Sequence, residues 1–210
     1  MNIPNNVLKH YLKNAYFFCG TTCGGKSTIS KAFAEKHNLF LLDEESLDPS
    51  IPENVNANFH TDTDWNEYFN RPYKEYYAEL QANLLGKLPE TLIKIIRASV
   101  NQPVVADVIN MPITMAMELT ERNRIVFLVT TPEIAMRDFH NRPSHKAILD
   151  CIMSTQNPKE SLANDKRMLA YSTELYLEEL EKTDLFYIMR NDDSTIESTL
   201  EKVEKHFGFV

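Results

Sequence analysis

The residues best suited to chemistry lie together near the start of the chain, in Gly20-Thr21-Thr22-Cys23-Gly24-Gly25-Lys26-Ser27. This run fits G-x-x-x-x-G-K-[ST] at every fixed position. Its glycines let the backbone take positive φ and approach a ligand with no Cβ in the way. Successive amide N–H groups then form an anion nest, and the N-terminus of a following helix adds partial positive charge. The Lys26 ammonium can bridge the β- and γ-phosphates of a nucleotide, and the Ser27 hydroxyl can ligate Mg²⁺. Of the five glycines in the chain, three fall in this window, so the cluster does not come from a glycine-rich composition. Gly20 to Ser27, with Thr28 in the helix behind them, are expected to bind a nucleoside triphosphate.

Two acids stand at the ends of apolar runs. Asp43 closes Leu39-Phe40-Leu41-Leu42 and is expected to face the cleft, where a carboxylate can accept the proton of an acceptor hydroxyl or orient it. Glu44 and Glu45 follow and point differently, as acids favoured at a helix start do. Asp107 is the one charge in Val104-Val105-Ala106-Asp107-Val108-Ile109. Burying a charge is costly unless it is paired or bound to a metal. Asp107 therefore holds Mg²⁺ through water, binds the acceptor, or accepts hydrogen bonds from loop amides. The residues alone leave these three open.

Arg71 sits among Trp65, Tyr68, Phe69, Tyr73, Tyr76 and Tyr77. Such an aromatic stripe either stacks a base or sugar face or fills a core. A guanidinium there recognises an acceptor phosphate or carboxylate, or pairs with Glu67 or Glu75 on the surface. Cys23 lies near a helix N-terminus, which is expected to lower its pKa and make it sensitive to oxidation. The six histidines show no ligand spacing, so structural or solvated roles are expected for them.

The elements that position these residues alternate. Strands are expected at Ala15–Cys19, Leu39–Leu42, Val104–Ile109, Ile125–Val129 and Leu185–Met189, each short, apolar and unbroken as in strands buried on both faces. Helices are expected before the first strand, from Ser27 to His37, and from Asp64 onward with a break at Pro72. Others are expected to open at Pro89, Pro112, Pro132 and Pro158. One more covers Lys146 to Ser154, and the last runs from Thr195 to Phe207. Leu162, Leu169, Leu175, Tyr176 and Leu180 are the expected core positions of the helix from Pro158. The Asn-, Pro- and Asp-rich stretch from Pro49 to Asp64 reads as a loop of a length that points to function or mobility. Five strands separated by helices indicate a parallel sheet covered on both faces, with ligands beyond the carboxyl ends of the strands. The ends after Cys19, after Leu42 and around Asp107 should share one cleft.

Composition limits the partners. A chain of 210 residues with 43% hydrophobic and 25% charged residues is expected to be one soluble domain. A net charge of −8 argues against a nucleic-acid partner. The three cysteines form neither a metal-ligand spacing nor an even framework, and no run reaches membrane-spanning length, so a cytoplasmic location is expected.

With these residues in view, the chain resembles the P-loop kinases of the nucleoside, nucleotide and small-molecule type. The likeness rests on Gly20 to Ser27, on Asp43 at the end of strand two, and on Phe127-Leu128-Val129-Thr130-Thr131-Pro132-Glu133 followed by Arg137 and Arg142. It implies a three-layer α/β/α P-loop NTPase fold with a five-stranded parallel sheet in the order 2-3-1-4-5. It also implies an acceptor-binding helical insertion at about 49–102 and a lid at about 137–157. In such a lid Arg137 and Arg142 close over the phosphates, and the loop after strand five, with Arg190, packs against the base. The chain lacks the Gly-Arg-Arg run of an adenylate-kinase lid and the glycine-rich stretch that shikimate kinases carry after strand three. Asp107 is followed by Val108, where thymidylate kinases have an acidic-Arg pair. The acceptor therefore stays open.

The resulting expectation is a cytoplasmic kinase that uses ATP and Mg²⁺. Its partner would be a small hydroxyl- or phosphate-bearing acceptor such as a nucleoside, nucleotide or sugar, without nucleic acid or membrane, in a monomer or homodimer. Lys26 and Ser27 would hold triphosphate and metal, and Asp43, Arg71 and Asp107 would face the acceptor, Asp107 doubling as a metal ligand. Arg137 and Arg142 would close the site. The alternatives are a nucleotide-binding regulator or NTPase without an acceptor, and a toxin-like kinase of a nucleotide sugar.

Overall fold

A computed structural model describes residues 5–43, 64–108 and 111–210. Among these, five strands form one sheet: β1 (Ala15–Cys19), β2 (Phe40–Leu42), β3 (Val104–Asp107), β4 (Ile125–Thr130) and β5 (Tyr187–Arg190). Their order is β2-β3-β1-β4-β5 and every pairing is parallel. This is the expected α/β fold and the strand order of the P-loop kinases. Glu44, Glu45, the expected loop from Pro49 and Ile109 of the third apolar run lie outside the described residues.

The central strands are buried on both faces, as their unbroken apolar runs require. Ala15, Phe17 and Cys19 of β1 pack to one side with Val104, Ala106, Phe127 and Val129, under α1 (Asn5–Leu12) and α5 (Ile113–Leu119). Tyr16 and Phe18 pack to the other side with Val105, Val126 and Leu128, against α2 (Lys26–His37) and α9 (Ile196–Phe207). Phe17, Phe18 and Phe127 are fully buried, each contributing about 1.5–3 kcal/mol by area. The expectation that β2 is equally buried needs correction. It is an edge strand, with Phe40 48% exposed and Leu42 alone buried.

The aromatic segment divides where Pro72 predicts. Asp64 caps α3 (Trp65–Asn70), its carboxylate accepting from the amides of Asn66 at 2.8 Å and Glu67 at 3.3 Å. Asn164 Nδ2 donates to the carbonyls of Phe69 and Arg71, both at 2.8 Å, which satisfies acceptors that a helix end leaves open. The helix expected to open at Pro89 does not exist as a separate element. α4 (Tyr73–Ser99) runs straight through that proline. Leu88, Leu92 and Ile95 anchor it in the core on both sides of Pro89. Pro89 and Leu85, the residue four before it, are both exposed, so water can satisfy the freed carbonyl.

The expected lid region holds the end of α6 (Pro132–Asp138), two short 3-10 turns (Phe139–Asn141 and Pro143–His145) and α7 (Lys146–Met153). The long α8 (Pro158–Leu180) packs against α6, α4, α3 and α7, and a third apolar cluster of Phe69, Tyr76, Ile152, Met168 and Leu169 joins these helices beyond the sheet. No helix among the described residues is long and apolar enough to cross a membrane.

Candidate active site

The glycine loop bridges β1 and α2 in a conformation that its residue types dictate. Gly20 has φ 128° and Gly25 φ 96°, and Cys23 takes the left-handed region at φ 60°. Gly24 is not in that region. A Cβ at either Gly20 or Gly24 would run into the Leu128 carbonyl of β4. The expectation of three glycines opening onto a ligand is thus refined: two are needed because the loop lies on the main chain of the neighbouring strand, and Gly25 is needed for its φ. Thr21 Oγ1 accepts from the Thr130 amide at 2.9 Å and ties the loop to the end of β4. Gly25 is the N-cap of α2 and brings no side-chain cap, so no side chain caps the first amides of that helix. Lys26 Nζ donates to the Thr21 carbonyl at 2.9 Å, which holds the ammonium over the loop it follows.

Because β2, β3 and β1 are adjacent, the strand ends carrying Asp43, Asp107 and the glycine loop come together. Asp107 is 1% exposed, and neither carboxylate oxygen completes a hydrogen bond. Burial pushes its pKa up, Lys26 and the nearby Ser27 hydroxyl draw it down, and Asp43 pushes it up again. Ser27 approaches closely enough to favour the ionised form without reaching ordinary hydrogen-bond geometry. A buried carboxylate with unused lone pairs beside a hydroxyl fits a hydrated Mg²⁺. The described residues contain no group of three or more His, Cys, Asp or Glu side chains able to hold a metal by themselves, so such an ion would need phosphate oxygens to complete its shell.

The loop faces a cavity of about 720 Å³. Gly24 to Thr28 line its base; Arg142, His145 and Asp138 line one wall; Arg190, Thr195 and Ile196 line the end beyond β5. Arg142 lies between the two 3-10 turns, held extended by the proline that follows it. Arg190 donates from Nη1 to the Cys23 carbonyl at 2.6 Å and from Nη2 to Asp138 Oδ2 at 3.0 Å. Arg137 is not in the lining. Its guanidinium grips Asp192 through two bonds, at 2.7 and 3.1 Å, and Asp138 at 2.8 Å. Arg71 is also elsewhere: it pairs with Glu79, four residues beyond the expected Glu75, and lies over the Tyr68 ring at 4.8 Å.

Cys23 corrects another expectation. Burial raises its thiol pKa, and the lowering by Arg142, Arg190 and Lys26 does not overcome this. His145 is drawn down, first by burial and then by Arg142, although its Nδ1–H donates to the Phe139 carbonyl at 2.8 Å.

A second cavity of about 230 Å³ shares Thr22, Leu80, Phe139 and Ile148 with the first. Asp165 of α8 lines it, 1% exposed, and accepts from the Tyr76 hydroxyl at 3.0 Å. Burial and this carboxylate together push the Tyr76 phenol well above its usual pKa. His140 Nε2 stands 2.9 Å from Asp165 Oδ2, yet neither atom completes a hydrogen bond of ordinary geometry. Asp165 and His140 were not among the residues expected to act. The available signal was helical spacing: Asp165 falls on the same face as Leu169 and Leu180, a charge in an otherwise buried stripe.

No protein-family model matches the chain, and no curated protein matches it. Among solved structures, a shikimate kinase from Acinetobacter baumannii in complex with shikimate is 19% identical, with 96% of each chain covered and a TM-score of 0.46. A shikimate kinase from Bacteroides thetaiotaomicron is 19% identical over 91% of this chain and 96% of its own, with a TM-score of 0.46. A deoxyadenosine kinase from M. mycoides is 12% identical over 93% of this chain and 100% of its own, with a TM-score of 0.49. These are likenesses of fold at low identity.

Proposed function

We propose that the protein is an ATP-dependent, Mg²⁺-requiring phosphotransferase acting on a small metabolite with a hydroxyl or phosphate group. The observation that carries this reading is the pairing of the glycine loop with Asp107, a buried carboxylate without hydrogen bonds, at adjoining strand ends. A phosphate-binding loop alone would suit any nucleotide binder. Asp43, near enough to Asp107 to raise its pKa though in the lining of neither cavity, would be the group that receives the acceptor proton.

Phosphoryl transfer asks the protein for in-line positioning and for neutralised charge. Loop amides and Lys26 hold the β- and γ-phosphates, and Ser27 with Asp107 would hold Mg²⁺, which when bound offsets charge on the bridging oxygens. Asp43 orients the acceptor hydroxyl. Arg142 neutralises charge on the transferring group, and Arg137 joins it on closure of the 137–157 lid by exchanging Asp192 for a phosphate oxygen. Arg190 flanks the base, and the helices of the 49–102 insertion hold the acceptor.

The test is transfer of ³²P from ATP to a panel of nucleosides, sugars and amino alcohols. The expected result is Mg²⁺-dependent labelling of at least one compound, lost in Lys26→Ala. Hydrolysis with no transfer to any member, unaltered by Asp43→Ala, would instead indicate an NTPase without an acceptor.

A further inference from the structure

The second cavity is a built site whose chemistry is narrower than that of the first. Tyr68, Phe69, Tyr77, Phe139 and Tyr176 supply ring faces and edges around it. Rings in such surroundings stack or meet edge to face with a flat ligand at little conformational cost. At one side stands Asp165, with Oδ1 taken by the Tyr76 hydroxyl and Oδ2 2.9 Å from His140 Nε2 but without a completed hydrogen bond. A buried acceptor oxygen left without a donor is costly, and a ligand N–H or O–H would satisfy it. The described residues lining the cavity include no lysine or arginine. The two cations within the aromatic stripe take no part in the lining: Arg71 pairs with Glu79 and lies over Tyr68, and Lys74 lies over the Tyr171 ring. His140 sits against the Asp165 carboxylate, which meets its charge whenever it is protonated.

We propose that this cavity recognises a ring-bearing acceptor that donates hydrogen bonds to Asp165 and carries no anionic group at the end it buries. An acceptor carboxylate or phosphate placed there would meet Asp165 with no lysine or arginine among the described lining residues to offset it, which is discrimination by repulsion as well as by attraction. At about 230 Å³ the cavity has room for roughly eight waters at their liquid volume, enough for one ring and its substituents. The wall shared at Thr22 lets the rest of the molecule reach the glycine loop. The word acceptor rests on the kinase reading; the ligand chemistry does not.

Trp65 stacks on Phe69 with ring centroids 5.8 Å apart, so its fluorescence reports on the cavity. The full chain is titrated with cytidine, adenosine and pyridoxine, and in parallel with orotate and shikimate, whose carboxylates sit on the ring itself, while ATP affinity is measured separately by calorimetry. The expected result is saturable quenching by at least one uncharged probe, at least tenfold tighter than by either anion. Asp165→Asn should weaken it at least tenfold with ATP affinity unchanged. Tyr76→Phe, which keeps the shape and leaves Asp165 short of one donor, should change it severalfold and decides the matter if Asp165→Asn does not fold. Equal or tighter binding of the anions, no saturable binding of any uncharged probe, or no effect of a folded Asp165 variant would overturn the proposal. Failure to bind ATP would remove the kinase reading and leave this one standing.

Discussion

The two adjoining cavities are made in opposite ways. The larger has the glycine loop as its base, one continuous stretch of main chain fixed by its packing on Leu128 and by the Thr21–Thr130 hydrogen bond, with charged and polar side chains such as Arg142, His145 and Arg190 as walls. The smaller is built, apart from Thr21 and Thr22 of the loop, from residues of four helices and a 3-10 turn, with aromatic walls around a single carboxylate among the described residues. The first suits a highly charged ligand whose phosphates every such loop can hold. The second suits a ligand read by shape and by one hydrogen-bonding edge. On the proposed reading, generic chemistry would sit at the sheet and selectivity on the helices beyond it.

Substitutions can break this division, beginning with the strongest. Lys26→Ala should reduce phosphoryl transfer about 10³-fold, the scale of losing one charge-stabilising group. Quenching of Trp65 by an uncharged ring compound should be unchanged in that variant. Arg142→Ala should cost about 10²-fold in kcat, whereas Arg137→Ala, whose guanidinium is occupied by Asp192 and Asp138, should cost less than tenfold. Steady-state kinetics of the pair, measured side by side, checks the ranking. Equal losses would mean that Arg137 gives up Asp192 at no cost and contributes as much as Arg142 on closure.

Gly24→Ala sharpens the comparison on the side of stability. Its Cβ would press on strand backbone that cannot move aside, at a cost of about 1–3 kcal/mol, and thermal unfolding should show it as a clear fall in Tm. Gly86→Ala, with open space around it in the interior of α4, should leave Tm level or slightly raised.

Asp107→Asn should act in the opposite sense. It removes a buried carboxylate without hydrogen bonds, so it should stabilise the fold by up to about 1–3 kcal/mol at neutral pH while abolishing transfer. The pH dependence follows from the direction of the shift. Burial raises this pKa above the ordinary value of 3.8, so as pH rises the unfolded chain ionises first and the native state loses stability. The Tm advantage of Asp107→Asn should accordingly open above about pH 4 and close below it. A variant less stable than the parent at pH 7 would mean that Asp107 is paired in the folded protein.

The same contrast explains what could be read from the residues. The glycine loop and the acids at strand ends were legible because each is a local pattern with one structural outcome, whereas the strand order came only with the family that the loop resembles. Pro89 misled because propensity marks a helix start, while Leu88, Leu92 and Ile95 hold the helix together by tertiary packing. β2 misled because an apolar run does not say whether a strand is central or at an edge. Cys23 misled because a helix N-terminus is visible in sequence and the burial that outweighs it is not. Asp165 and Tyr76 lie far apart in the chain, and only the packing of α8 on α4 brings them to one cavity, with His140 of the 3-10 turn against the Asp165 carboxylate.

The central claim is that the loop from Gly20 to Ser27 grips a nucleoside triphosphate through its amides and Lys26. Calorimetric titration of the full chain with ATP, with and without Mg²⁺, tests it directly. The expected result is saturable one-to-one binding, tighter with Mg²⁺ and lost in Lys26→Ala. No heat at any concentration, or the same isotherm in Lys26→Ala, would contradict it.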